Sequence, residues 1–321
     1  MHSAPQLVSL FEAYYKKQKF DQRYDVYRAM EYIMSMNGKR IRPLLTLMAC
    51  ELFDGDLKKA MPPALAVEIY HNSTLVHDDI MDKAATRRGN PTVHKKYGTN
   101  IAINTGDMMF SLSYRYVGIT DKPHMRKLCE IFNKTVVEVI EGQSLDMEFE
   151  TRENVSESEY IEMIKGKTSV LLACALQMGA WIADASQKDQ QKIYDFGLNL
   201  GLSFQIQDDY LDAFGDPKKV GKRAGGDILL NKKTILLLKT IELAKPSQLK
   251  QLNLLTQEKD KAKKVGGIKK LMEDTGAKKY TQELMDEYYL KSIKSLKSIK
   301  TDENRKKPLL NLAEFLRSRE K

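Results

Sequence analysis

Two pentapeptides, Asp78-Asp79-Ile80-Met81-Asp82 and Asp208-Asp209-Tyr210-Leu211-Asp212, repeat one spacing about 130 residues apart. Each lies in an apolar stretch with helical periodicity. Residues four apart share a helix face, so Asp78 stands beside Asp82 and Asp208 beside Asp212. Like charges so placed cost an isolated helix roughly 0.2–0.5 kcal/mol per pair. No Lys or Arg sits one turn away. Thr74, Leu75, Ala85 and Thr86 flank the first pair, and Phe204, Gln205, Gly215 and Asp216 the second. The compensating charge must come from outside the helix. Hard divalent cations are the natural candidates, and Mg²⁺ takes one or two carboxylates together with substrate phosphates.

Cationic segments follow each acidic cluster. Arg87-Arg88-Gly89 comes after the first; Gly221-Lys222, Gly225-Gly226-Asp227 and Lys232-Lys233-Thr234 come after the second. A third group, Gly38-Lys39-Arg40-Ile41-Arg42-Pro43, runs into an expected helix N-terminus, where backbone N–H groups favour an anion. Lys165-Gly166-Lys167-Thr168 lies within a helical run. Singly these are weak signals, since exposed carboxylates and arginines are common. Gly221-Lys222 lacks P-loop spacing, and His71 and His77, six apart, share no helix face and no zinc motif. Taken together, two acidic helices and several basic loops in register describe a site for a metal-bridged phosphate group.

The elements that must position these groups are helices. Apolar residues recur at three-and-four spacing over residues 44–53, 65–81, 101–117, 126–140, 160–183, 187–214 and 234–244. Ser156-Glu-Ser-Glu159 is a capping box just before Tyr160, and Pro43 suits a first helical turn. Gly and Pro cluster at 88–91 and 216–226, where loops are expected after the acidic helices. No run of alternating β-branched residues and no low-complexity linker is visible. The expected fold is all-α, one domain over residues 1–321.

Composition excludes some functions. The net charge of +9 is uneven: residues 241–321 carry 20 Lys+Arg against 12 Asp+Glu, leaving about +1 for the rest. Lys291, Lys294, Lys297 and Lys300 recur every third residue with few aromatics among them, which reads as a solvated helix face and not a nucleic-acid surface. Residues 1–18 lack the apolar core of a signal peptide, and the most apolar run, 169–183, is short for a membrane span and contains Gln177. Cys50, Cys129 and Cys174 are far apart and in apolar contexts, so reduced thiols and a cytoplasmic location are expected.

The chain resembles the trans-isoprenyl diphosphate synthases, which include farnesyl, geranylgeranyl and longer polyprenyl diphosphate synthases. The resemblance runs from about residue 36 to 234. It rests on Gly-Lys-Arg-Ile-Arg-Pro at 38–43, His71, the two Asp-rich pentapeptides, Arg87-Arg88-Gly-Asn-Pro-Thr, Gly106-Asp107, Gly142-Gln143, Gly166-Lys167-Thr168, Phe204-Gln205, Gly221-Lys222 and Gly226-Asp227. Asn37 stands where a second glycine is common, and no proline follows Leu236. The resemblance implies a helical bundle around a deep cavity, usually a homodimer, condensing an allylic diphosphate with isopentenyl diphosphate. By the same resemblance Asp78, Asp82 and Asp208 would bind Mg²⁺, three ions per site, with Asp209 and Asp212 supporting. Lys167, Lys222, Lys232 and Arg87 would add charge at the leaving diphosphate. Lys39, Arg42, His71 and Arg88 would hold isopentenyl diphosphate, and Thr168 and Gln205 would position the allylic substrate.

Within that family the growing chain runs below the first acidic cluster, and short-chain members often carry a large aromatic one turn down. Here Ser73 and Thr74 are small, so the expected product is geranylgeranyl diphosphate or longer, with Tyr70 or residues 106–117 as the possible floor. Farnesyl diphosphate synthesis and a non-catalytic regulatory subunit are the alternatives. A subunit of the latter kind would be expected to lose site residues. A class I terpene cyclase would have no use for a diphosphate site at Lys39 and Arg42.

Overall fold

A computed structural model describes residues 1–120, 122–216 and 225–318. Nearly everything described is helix: α1 (Ala4–Lys16), α2 (Asp25–Ser35), α3 (Ile41–Leu52), α4 (Leu57–Met81), α5 (Val93–Tyr97), α6 (Thr99–Gly118), α7 (Lys122–Thr151) and α8 (Glu157–Ile164). A π-helical turn (Lys165–Ser169) leads into α9 (Val170–Ile182) and α10 (Gln187–Phe214). Then come α11 (Gly226–Leu229), α12 (Ile235–Leu243), α13 (Pro246–Thr256), α14 (Lys261–Asp274), α15 (Ala277–Lys297) and α16 (Glu303–Ser318). The all-α expectation holds. The strands among the described residues are β1 (Thr86–Arg87) and β2 (Asn90–Pro91), paired antiparallel. Arg88 and Gly89 between them both have positive φ, as a two-residue hairpin turn with right-handed strand twist requires.

The chain forms two compact units. The first comprises Met1–Lys134, Cys174–Ile193 and Lys300–Pro308; the second comprises Thr135–Ala173, Tyr194–Ile299 and the residues from Leu309 on. In the first unit α4 packs between α3 and α6, and its residues from Ala60 to Tyr70 are almost all buried. A helix apolar all round has no solvent face to offer, so it becomes the centre of its unit. In the second unit, Phe149, Tyr160, Ile164, Leu202, Ile206 and Ile235 make one core cluster. A second cluster gathers Ala213, Ile228, Leu236, Ile268 and Met272.

Some boundaries differ from those the periodicity suggests. α4 begins eight residues before position 65, because the Asp56 carboxylate caps it by accepting from the Lys58 N–H and carries the helix through Pro62 and Pro63. The run 160–183 is not one α-helix but α8, the π turn and α9. Its start does follow the expected cap: the Ser156 N–H donates to Glu159, and the Glu159 N–H donates back to the Ser156 hydroxyl. Lys291, Lys294, Lys297 and Lys300 are all exposed, as a solvated face requires. Cys50 and Cys174 are buried and Cys129 half-buried, all as free thiols. Among the described residues no helix is long and apolar enough to cross a membrane.

Candidate active site

In the first unit the site residues gather on α4 and the segments packed against it. Arg40 sits just before α3 in a left-handed conformation and is buried. Its guanidinium donates to Glu12 at 2.7 Å, to Glu68 of α4 at 2.8 Å and to the Met34 carbonyl. This ion triad anchors the start of α3; of the neighbouring cations Lys39 is exposed and Arg42 half-buried. Spacing alone did not single out Arg40 or Glu68, since Arg40 takes its partners from α1, α2 and α4.

One turn beyond Glu68, His71 is pushed well below its usual pKa by burial, then by the charges of Arg42, Arg88, Arg87 and Arg40. The imidazole is thus neutral among four guanidinium groups. Burial also pushes Arg42 down to about 10, with Arg88 adding to the effect and Glu68 opposing it. The Arg42 Nε is buried with no acceptor. The Arg88 Nη1 lies only 2.9 Å from where a Cβ on Gly38 would stand, so the two basic loops meet there. A convergence of guanidinium groups with an unsatisfied buried N–H fits an anion such as a diphosphate.

Further along α4, Asp78 is half-buried and Asp82 exposed at the C-cap. Asp79 points elsewhere: it is buried, and Arg87 of β1 forks onto it with two 2.8 Å bonds. That pair clips the hairpin to the helix, and it occupies two of the three nitrogens of Arg87. Asp78 and Asp82 also face the negative end of the helix dipole, which adds to their mutual repulsion.

The second pentapeptide has the same division of labour. Asp208, in the last two turns of α10, is half-buried. Asp209 is buried; it accepts from the Tyr160 hydroxyl at 2.6 Å and from Gln205 Nε2 at 3.1 Å. Burial, then the charge of Asp227, pushes Asp209 up to about 7, against the opposing pull of Tyr160, Lys232 and Gln205. Thr168 donates to the Gln205 carbonyl at 3.0 Å, so Thr168, Gln205, Asp209 and Tyr160 form one chain of hydrogen bonds. Asp212 accepts from the Asp227 N–H at 2.9 Å, tying α10 to the start of α11. Tyr160 was not among the expected site residues; a tyrosine in the first turn of a capped helix carries no distinguishing sign.

Lys167 is set by backbone geometry. It lies in the π turn, a feature frequent at functional sites. There α7 crosses so closely that a Cβ on Gly142 would lie 2.2 Å from the Lys167 backbone nitrogen. Its ammonium donates to Asp146 of α7. Lys232 is exposed, in the segment after α11. Lys222 lies outside the described residues. An open groove of about 430 Å³ along α7 and α8 shares Gly142, Lys165 and Gly166 with the motifs named above and is lined by none of the charged residues assigned to the site.

Among the described residues, no three His, Cys, Asp or Glu side chains are close enough to hold a metal by themselves. Pairs such as Asp78 and Asp82 hold a cation only with further oxygen ligands, which is how Mg²⁺ is bound beside substrate phosphates. Ser73 is buried and donates its hydroxyl to the Tyr70 carbonyl, while Thr74 donates to the His71 carbonyl. Bulk begins one turn lower: Tyr70 stands 5.5 Å from Phe132 and 6.1 Å from Phe110, and Tyr114 closes the ring of aromatics.

Comparison with known proteins places the chain among relatives of one family. Residues 24–275 match the polyprenyl synthetase family model. A geranylgeranyl diphosphate synthase from Sulfolobus acidocaldarius is 38% identical over 307 residues, 92% of this chain and 91% of that protein. A crystal structure of a geranylgeranyl pyrophosphate synthase superposes with a TM-score of 0.95 at 43% identity, covering 99% of each chain. The polyprenyl synthase from Caulobacter crescentus, solved with calcium and isoprenyl diphosphate, has a TM-score of 0.85 at 30% identity, covering 99% of this chain and 98% of that one. The chain belongs to the polyprenyl synthetase family, the prenyltransferases that make isoprenyl diphosphates.

Proposed function

We propose that the protein condenses an allylic diphosphate with isopentenyl diphosphate, head to tail, and stops at geranylgeranyl diphosphate. One observation carries the reading. α4 presents His71, which feels the charges of Arg42, Arg88, Arg87 and Arg40, and Asp78 seven residues further on. Residues seven apart share a helix face about 10 Å apart, so one surface offers an anion pocket and, two turns on, a cation-binding pair. Arg42, Arg88, Lys39 and the neutral His71 receive the isopentenyl diphosphate head group. Asp78, Asp82 and Asp208 hold Mg²⁺, with Asp209 and Asp212 in support through the bonds that fix α10. When bound, three such ions neutralise the departing diphosphate. Lys167, Lys222 and Lys232 add fixed positive charge there, and Arg87 contributes through its charge and remaining nitrogen. Thr168 and Gln205 fix the allylic substrate from a hydrogen-bonded chain that cannot relax independently. The proton released after coupling leaves with pyrophosphate, so no side chain serves as a dedicated base. The calcium and isoprenyl diphosphate of the Caulobacter structure support this arrangement by analogy.

Product length follows from helix geometry. An isoprene unit is about as long as one helical turn, ~5.4 Å. With Ser73 and Thr74 small and folded back on their own helix, the first obstacle is Tyr70, one turn below the position that stops farnesyl-length chains in short-chain relatives. The names of the curated relatives support the same length. Purified protein given Mg²⁺, isopentenyl diphosphate and dimethylallyl, geranyl or farnesyl diphosphate should yield geranylgeranyl diphosphate from each. Farnesyl diphosphate as end product would refute the length, and no turnover by the pure protein would favour a regulatory subunit instead.

Assembly as a homodimer fits the surface of α7. Val137, Ile140 and Met147 are 46%, 53% and 47% exposed at helical spacing, an apolar stripe that a second copy would cover. Light scattering on the same purified sample should give twice the 36.8 kDa chain mass; a monomer would remove the stripe from the argument.

A further inference from the structure

Asp146 lies one turn after Gly142 on α7 and has no part in the scheme above. Its side chain is only 16% exposed. Oδ2 accepts from the Lys167 ammonium at 2.5 Å, and Oδ1 lies 3.9 Å from the Lys232 ammonium. Two cations from distant segments therefore converge on one carboxylate. Lys167 comes from the π turn, held against α7 by the Gly142 crossing, whereas Lys232 comes from the segment after α11. Without a shared anion two ammonium groups brought so close would repel, and each long side chain would turn away into its many rotamers. An ammonium has three N–H donors, so either lysine can keep Asp146 and still offer hydrogens to a phosphate.

We propose that Asp146 is a positioning residue for the allylic diphosphate, holding Lys167 and Lys232 side by side so that both meet one diphosphate group. The proposal rests on the prenyltransferase reading, and it assigns Asp146 to one of the two substrates. In the full-length enzyme Asp146→Asn should lower kcat/KM for the allylic diphosphate about thirtyfold while KM for isopentenyl diphosphate stays within about twofold. Inorganic pyrophosphate should inhibit the variant about tenfold less well, and Asp146→Glu, which keeps the charge, should recover most of the loss. In a Lys167→Ala background the effect of Asp146→Asn should shrink to about twofold, as expected of residues acting together.

Stronger inhibition by pyrophosphate would instead make Asp146 a competing counter-ion and overturn the proposal. So would equal losses for both substrates, or a lowered melting temperature that Asp146→Glu fails to restore. If the unmodified protein does not turn over, the prenyltransferase reading falls. Calorimetric titration of both forms with magnesium and pyrophosphate still decides the role of Asp146: weaker binding by Asp146→Asn supports it, and equal or tighter binding refutes it.

Discussion

Replacing Asp78 or Asp208 singly by asparagine is expected to lower kcat about a thousandfold, roughly 4 kcal/mol of transition-state stabilisation. Both carboxylates are half-buried near a helix C-terminus, where the dipole and a like-charged neighbour one turn away make a cation the natural complement. Asparagine keeps the shape and removes the charge, so the fold should survive with an unchanged melting curve. Asp79 offers the internal contrast. It is two-bonded to Arg87 and buried, so Asp79→Asn breaks a buried pair. Breaking such a pair costs about 3 kcal/mol, the lower end of the usual range because Arg87 is partly exposed. For a chain of this length that corresponds to a melting temperature lower by about 4–5 °C. Steady-state kinetics with thermal melts on the three variants separates the roles. Equal loss of turnover in all three, without a stability difference, would contradict the division between the first and second aspartates.

The second large effect concerns product length. Tyr70→Ala should shift the main product from geranylgeranyl diphosphate to chains longer by at least one isoprene unit. Tyr70 is 1% exposed and its ring closes against Phe110 and Phe132, so its removal opens the next turn of α4. Phe132→Ala should act in the same direction and add to it, because Phe132 also supports Tyr114. Truncating a buried aromatic costs about 3–5 kcal/mol, so circular dichroism must first show a folded enzyme. Chromatography of the dephosphorylated products then reads chain length. An unchanged product from folded Tyr70→Ala would place the floor elsewhere and leave Ser73 and Thr74 without a role in length control.

The chemistry of this protein is legible in its sequence because much of it is local. Helical periodicity and the capping residues at Ser156 are short-range effects, and four-residue spacing alone puts Asp78 with Asp82 and Asp208 with Asp212. Basic loops in register with acidic helices are the local signal from which the proposed diphosphate site is read. Tertiary structure decided which aspartate of each doublet turns inward, since that depends on Arg87 reaching back from a hairpin and Tyr160 reaching across from α8. The π turn at Lys167 likewise depends on a backbone crossing with Gly142, and the pairing of Asp146 with Lys167 joins residues on separate helices. The physical divide is range. Residues within a turn or two of one another are related by helix geometry that the chain cannot escape, whereas a buried charge takes whichever partner the packing delivers.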